Sequence, residues 1–251
     1  MLPQRSKVEI TDGSDRLLEN TSYWAVITSL PLPSLKVYFD GQAAGVELAR
    51  QSLANTGSLY VQQVTIPEDA DYYLLADKNQ YWIVLSASKR PVVAPIPEQS
   101  TQAGYMPYFA NKAIQRLEHI ARWQNILQLK SPATSRIQPD DIQMEIIVLS
   151  GRQESNSGAE MRLEYTNDNG EWTPPIIQIR LTNNSDKTLY CNVLNLTENY
   201  GVELPFFPEK SSVRLAPKGS ENSVTVTSFA DLGFVIPDEF LAQGITEYKD
   251  I

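Results

Sequence analysis

Two side chains in this 251-residue sequence could begin nucleophilic chemistry, His119 and Cys191, because the chain holds a single histidine and a single cysteine. A thiol nucleophile needs a base to draw off its proton and donors to hold the developing oxyanion. Cys191 stands in Leu189-Tyr190-Cys191-Asn192-Val193, a strand pattern in which a small thiol packs as a hydrophobe. His119 falls on the polar side of a helical repeat. Nothing in either local sequence points to an activated thiolate, so the expectation is a chain with no catalytic residue of its own.

Other chemistries lack their usual anchors. Asp12, Asp15, Asp69, Asp71, Asp140 and Asp141 are scattered through turns, and no Cys/His cluster has metal-ligand spacing. There is neither a glycine-rich phosphate loop nor a Gly-x-Ser-x-Gly elbow, so no metal and no cofactor are expected. Carboxylates for glycosidic chemistry would have to meet in space, and no spacing singles out such a pair. Tyr72, Tyr73, Tyr81 and Trp82, on adjacent candidate strands, could stack on a sugar or anchor a protein partner. Strand alternation sends one member of each pair to each face, and the core is the weightier reading for them.

Charge and hydropathy narrow the partners. A net charge of -9 without a Lys/Arg stripe repels a polyphosphate backbone, which excludes nucleic acid. No apolar run approaches the roughly 20 residues that cross a bilayer, and Met1 to Lys7 lacks the apolar segment of an export signal. A single cysteine cannot close an intramolecular disulfide. The expected setting is a reducing cytoplasm with no membrane partner.

The elements that would position these residues follow from periodicity. Aromatic and β-branched runs predict strands over 22–29, 35–39, 59–66, 72–76 and 81–86, with Asp77 to Gln80 as a hairpin loop. Val46, Ala49 and Leu53 recur at helical spacing, which predicts a short helix from Ala43 to Asn55 ended by Gly57. Pro91, Pro95, Pro97 and Pro107 mark 89–107 as a linker or extended edge. From Pro107 to Leu129 an amphipathic helix turns Ile114, Leu117, Ile120, Ala121, Trp123 and Leu127 to one side and Gln115, Glu118, His119 and Arg122 to the other. Candidate strands over 142–149, 161–165, 176–182, 189–196, 201–207, 213–216 and 224–229 then imply an antiparallel β-sandwich. The fold class is therefore mainly β with α+β character, divided into an N-terminal β-rich α+β domain (1–96), a proline-rich linker with a coupling helix (97–138) and a C-terminal β-sandwich (139–251).

Several segments carry a resemblance: Leu-Glu-Asn-Thr-Ser-Tyr-Trp-Ala (18–25), Asp-Ala-Asp-Tyr-Tyr-Leu-Leu-Ala (69–76), Arg-Leu-Glu-His-Ile-Ala-Arg-Trp (116–123) and Leu-Thr-Asn-Asn-Ser-Asp-Lys-Thr-Leu-Tyr-Cys (181–191). With Ile-Pro-Asp-Glu (236–239) and the final nine residues (243–251), they resemble the non-catalytic C-terminal region of cyanobacterial caspase-like peptidases, the orthocaspase group of the metacaspase superfamily. The resemblance implies a peptidase domain with a His/Cys dyad elsewhere in the same polypeptide, as an intramolecular partner. This sequence has no His-Gly step and no cysteine in a Gly-flanked loop, so that dyad maps onto no residue here.

The expected function is then regulation or target recognition for a caspase-like peptidase through binding to an unidentified protein. The alternative is a carbohydrate- or small-ligand-binding β-sandwich module of another bacterial effector. Asn183, Asn184 and Asp186 in one polar loop, and Asn156 in the loop from Gly151 to Gly158, are the candidate binding residues. Leu117, Ile120, Trp123 and Leu127 are the candidates for coupling the two β regions, and aspartate at Leu117 and Trp123 together is expected to destabilise the whole chain.

Overall fold

Alternation of Leu35, Val37 and Phe39 with Lys36, Tyr38 and Asp40 gives β1 (Leu35–Gly41) one buried and one open face. Gly41 ends it at φ +101, where a Cβ would stand 2.2 Å from the Ala76 carbonyl oxygen, so only glycine fits this turn into α1 (Ala43–Thr56). Gly57 closes that helix in the left-handed region, its N–H bonded to the Leu53 carbonyl. The computed structural model describes residues 33–100, 103–131, 135–156, 161–207, 212–220, 225–229 and 232–236. The strand predicted over 22–29 lies outside them.

β2 (Val61–Val64) and β3 (Tyr72–Asp77) both run parallel to β1, and β4 (Gln80–Leu85) returns antiparallel to β3. The sheet order is β2-β1-β3-β4. Parallel neighbours need a crossover, and α1 supplies the one between β1 and β2. The β3–β4 loop narrows to Lys78 and Asn79, both at positive φ, the backbone of a tight two-residue hairpin turn. Pro91 and Ile96 bridge to Val84 and Tyr81, so the proline-rich segment lies extended along the edge of β4.

α2 (Pro107–Leu127) opens with proline at its first position, where a missing N–H costs nothing. Ala110, Ala113, Ile114, Leu117, Ile120 and Ala121 are buried in one cluster with Val37, Phe39, Leu74 and Ile83 of the sheet and Val46 and Ala49 of α1. The sheet's opposite face carries Tyr38, Tyr73, Leu75 and Trp82, all half-buried.

The remaining strands make a second core. β5 (Ile142–Ser150) pairs with β10 (Ile176–Asn183), whose other edge takes β15 (Thr225–Thr227) and β16 (Leu232–Gly233), all antiparallel. Two-residue alternation on β10 buries Ile177, Ile179 and Leu181. They meet Leu189 and Cys191 of β11 (Leu189–Cys191), Val213 and Leu215 of β14 (Val213–Leu215), and Phe206 and Phe207. Four-stranded sheet and β11–β14 pair thus share one core. Hairpins β6–β7 (Arg152–Asn156, Met161–Glu164), β8–β9 (Thr166–Asp168, Glu171–Thr173) and β12–β13 (Asn195–Leu196, Val202–Glu203) complete the described strands. Among the described residues the chain is mainly β with two α-helices and several sheets.

Candidate functional site

The two residues with nucleophilic potential are held apart, each by a structural task. Cys191 belongs to the second core, where burial pushes its thiol up from the ordinary value. His119, on α2, donates from Nε2 to the Tyr200 carbonyl at 2.8 Å. Among the described residues no group of three His, Cys, Asp or Glu side chains could hold a metal ion.

Around His119 lies a polar cluster that joins α2 to a hairpin of the C-terminal half. The β12–β13 hairpin brings Tyr200 and Leu196 into the first core, although both come from the C-terminal half of the chain. One helical turn after His119, the Trp123 indole donates to the next carbonyl, that of Gly201, at 3.0 Å. Helical spacing of four residues aligns these two donors with two successive carbonyls. The Trp123 and Tyr200 rings meet edge to face with centroids 5.3 Å apart. Tyr200 and Tyr72 share a hydroxyl hydrogen bond of 3.3 Å, and Gln124 Nε2 donates to the Tyr72 hydroxyl at 2.9 Å. Burial, followed by the Tyr72 hydroxyl, raises the Tyr200 phenol well above its ordinary 10. At the rim Arg90 lies 3.9 Å from Glu198, an exposed pair that contributes little to stability.

The tip is shaped from within. Thr197 N–H donates to the Gly201 carbonyl and Tyr200 N–H to the Thr197 carbonyl, while Gly201 N–H reaches Thr197 Oγ1 and Asn199 Oδ1. Tyr200 adopts φ +67, a left-handed backbone that a tyrosine rarely takes. The sequence places this tip between the candidate strands 189–196 and 201–207, and only the three-dimensional register reveals where it docks.

The residues proposed from sequence separate into different fates. Leu117 and Ile120 are fully buried and Trp123 is 7% exposed, whereas Leu127, at the last turn of α2, is 44% exposed and stands outside the coupling face. Asn183 is 1% exposed and faces inward, so of the residues expected in that polar loop it offers no surface to a target. Its amide donates to the carbonyls of Lys187, Leu215 and Ala216, and its oxygen accepts from the backbone and hydroxyl of Ser185. Asn184 and Asp186 are exposed, with Asn184 Nδ2 bonded to the Asp140 carbonyl. The backbone of Asn156 forms the end of β6, paired with Met161. Part of the segment between Gly151 and Gly158 is therefore strand, and 157–160 lie outside the described residues.

Among the aromatic candidates, Tyr72 and Tyr81 are buried, and Tyr73 lies beneath the Lys89 ammonium, 3.0 Å from the ring centroid. Tyr81 donates to the Gly45 carbonyl, and burial, then Tyr105, pushes its phenol up to about 12. Among the described residues the strongly exposed rings are others: Tyr108 on α2, Tyr190 on β11 and Trp172 on the β8–β9 hairpin. Trp172 pairs with Asn167 across a turn at Asn169-Gly170, both at positive φ. The turn signal was readable in the sequence. The outward direction of Trp172 was not, because no amphipathic period extends over strands of three residues.

No family model, curated protein or solved structure matches the chain.

Proposed function

We propose that this chain is a non-catalytic, protein-binding region that accompanies a caspase-like cysteine peptidase, with its C-terminal half an irregular β-sandwich. The observation that carries the reading is the structural use of both potential catalytic side chains. His119 is committed to a backbone carbonyl of the docked hairpin, and Cys191 lies in the other core, where burial pushes its thiol up from the ordinary value. In that reading α2 holds the two β-rich halves in a fixed relation, and Asn184 and Asp186 offer exposed polar contacts to a target.

The resemblance in the residues 69–76, 116–123 and 181–191 supplies the peptidase as intramolecular partner, and a cytoplasmic location goes with it. The test is to produce this chain and the remainder of the polypeptide encoded by the same gene as separate proteins, and to titrate one against the other by calorimetry. Saturable binding that Asn184→Arg/Asp186→Arg weakens is the expected result. A gene that encodes no peptidase domain, or two parts that do not bind, overturns it. Peptide hydrolysis by the purified chain that disappears in Cys191→Ala overturns the non-catalytic reading specifically.

A further inference from the structure

The tip of the β8–β9 hairpin sets an electrophile beside its own nucleophile. Attack by the Gly170 backbone nitrogen on the Asn169 side-chain carbonyl closes a succinimide ring, and glycine puts no side chain in the way of that nitrogen. Residues 167–173 are all exposed, and a Cβ at Gly170 would meet nothing within 4 Å. Among the described residues no hydrogen bond holds the Asn169 side chain. One bond guards the nitrogen, from Gly170 N–H to Asn167 Oδ1 at 3.1 Å, and it is open to water. The Asn184-Ser185 step is built differently. Asn184 Nδ2 donates to the Asp140 carbonyl, and Ser185 N–H donates at 2.9 Å to Oδ1 of the buried Asn183.

We propose that Asn169 is a self-modification site, whose isoaspartate product unzips the β8–β9 hairpin and frees Trp172. The Gly170 nitrogen gives its proton to hydroxide and bonds to Asn169 Cγ; the bond from Cγ to Nδ2 breaks, and the amide nitrogen leaves as ammonia. Water then opens the succinimide at either carbonyl. Opening at Cγ gives aspartate with the main chain unaltered, whereas opening at the main-chain carbonyl gives isoaspartate, with the chain running through Cγ. Either product adds one negative charge to the net -9. Isoaspartate also inserts a methylene into the main chain of a two-residue turn, whose residues both sit at positive φ between the pairs Asp168↔Glu171 and Asn167↔Trp172. That geometry has no room for another main-chain atom. When aspartate forms instead, the new carboxylate stands between Asp168 and Glu171, where like charges weaken the pairing. Trp172 is 69% exposed and is positioned by its pairing with Asn167, so loss of the register releases it. The inference rests on this hairpin alone and not on any peptidase partner.

The test is to hold the purified chain for weeks in mildly alkaline buffer beside synthetic peptides of residues 163–180 and 181–187. Cleavage after Arg162, Arg180 and Lys187 releases the same segments from the chain for mass spectrometry, and enzymatic methylation counts isoaspartate. Asn169 in the folded chain should gain one mass unit, with isoaspartate present, no more than about tenfold more slowly than in its peptide, because a single exposed hydrogen bond must open. Asn184, guarded by two bonds, should lag its own peptide by a larger factor. An Asn169 that stays intact in the folded chain while its peptide converts, or that lags as much as Asn184, overturns the site. Nuclear magnetic resonance tests the consequence: cross-strand Overhauser contacts between Asn167 and Trp172 should be present in the fresh chain and lost in the isoaspartate fraction. Their survival there overturns the unzipping.

Discussion

Asn183 shows how a side chain legible as a turn former can have its task hidden. Asn, Ser and Asp in sequence mark a loop because their side chains mimic backbone turns, yet nothing in 183–186 tells which of them faces inward. Register decides it: Asn183 continues the buried series Ile177, Ile179, Leu181 on β10, and its amide meets the carbonyls of Leu215 and Ala216. Asn183→Ala should cost about 2–3 kcal/mol of unfolding free energy in urea, because buried carbonyls lose their donor. Asn183→Asp should cost more, since a carboxylate cannot donate to those carbonyls and carries buried charge. A binding-loop residue would leave the urea midpoint unchanged in both. Tyr81 carries a pH prediction. Its folded phenol ionises near 12 against an ordinary 10, so the unfolded chain loses the proton first. The folded state then binds more protons above pH 10, and stability falls with rising pH by about 1.4 kcal/mol per unit for this group until the folded value is passed. Urea titrations from pH 8 to 11.5 should show a level region followed by decline, with a shallower decline in Tyr81→Phe.

At the scale of elements, strong periods were readable and short or nonlocal ones were not. The helix expected from Pro107 to Leu129 is observed over Pro107–Leu127, and that expected from 43 to 55 over Ala43–Thr56, because each buries a stripe that repeats at helical spacing. The parallel pairing of β1 with β2 and β3 has no local signature; it follows from the crossover that α1 makes and from Gly41, whose glycine tolerates the approach of Ala76. β6, β8, β9 and β16 escaped notice because two to five residues cannot display a period. Burial along α2 separates two leucines that its sequence pattern treats alike. Leu117→Asp places a charge at a fully buried site and should cost at least about 4 kcal/mol or prevent folding, while Leu127→Asp at the exposed end should change stability by about 0.5 kcal/mol or less. Thermal melts of the two variants check this directly, and equal losses would refute the placement of Leu127 outside the packed face.

For the whole molecule, the amphipathic helix announced that something must cover its apolar side, and the sequence suggested a coupling of two β regions. Which residues of α2 meet the C-terminal half depends on contacts between positions about 80 apart in sequence, His119 with Tyr200 and Trp123 with Gly201, that no local pattern encodes. The first core is built from β1 to β4 with both helices and the second from β10, β11 and β14. Because the two cores are separate clusters, cooperativity between them rests on what joins them. Tyr200 supplies a buried ring, a hydroxyl bond and the carbonyl to which His119 donates. With it in place, a probe of the first core and a probe of the second should report one transition, as two-state unfolding requires. In Tyr200→Ser the ring packing is lost, and exchange rates of β3 and β10 amides in mild denaturant should separate, the less stable half opening first. Tyr200→Phe keeps the ring and should keep the rates together, at a cost of about 1 kcal/mol for the missing hydroxyl bond. Amides of β3 and β10 that still open together in the serine variant would place the coupling elsewhere in the fold.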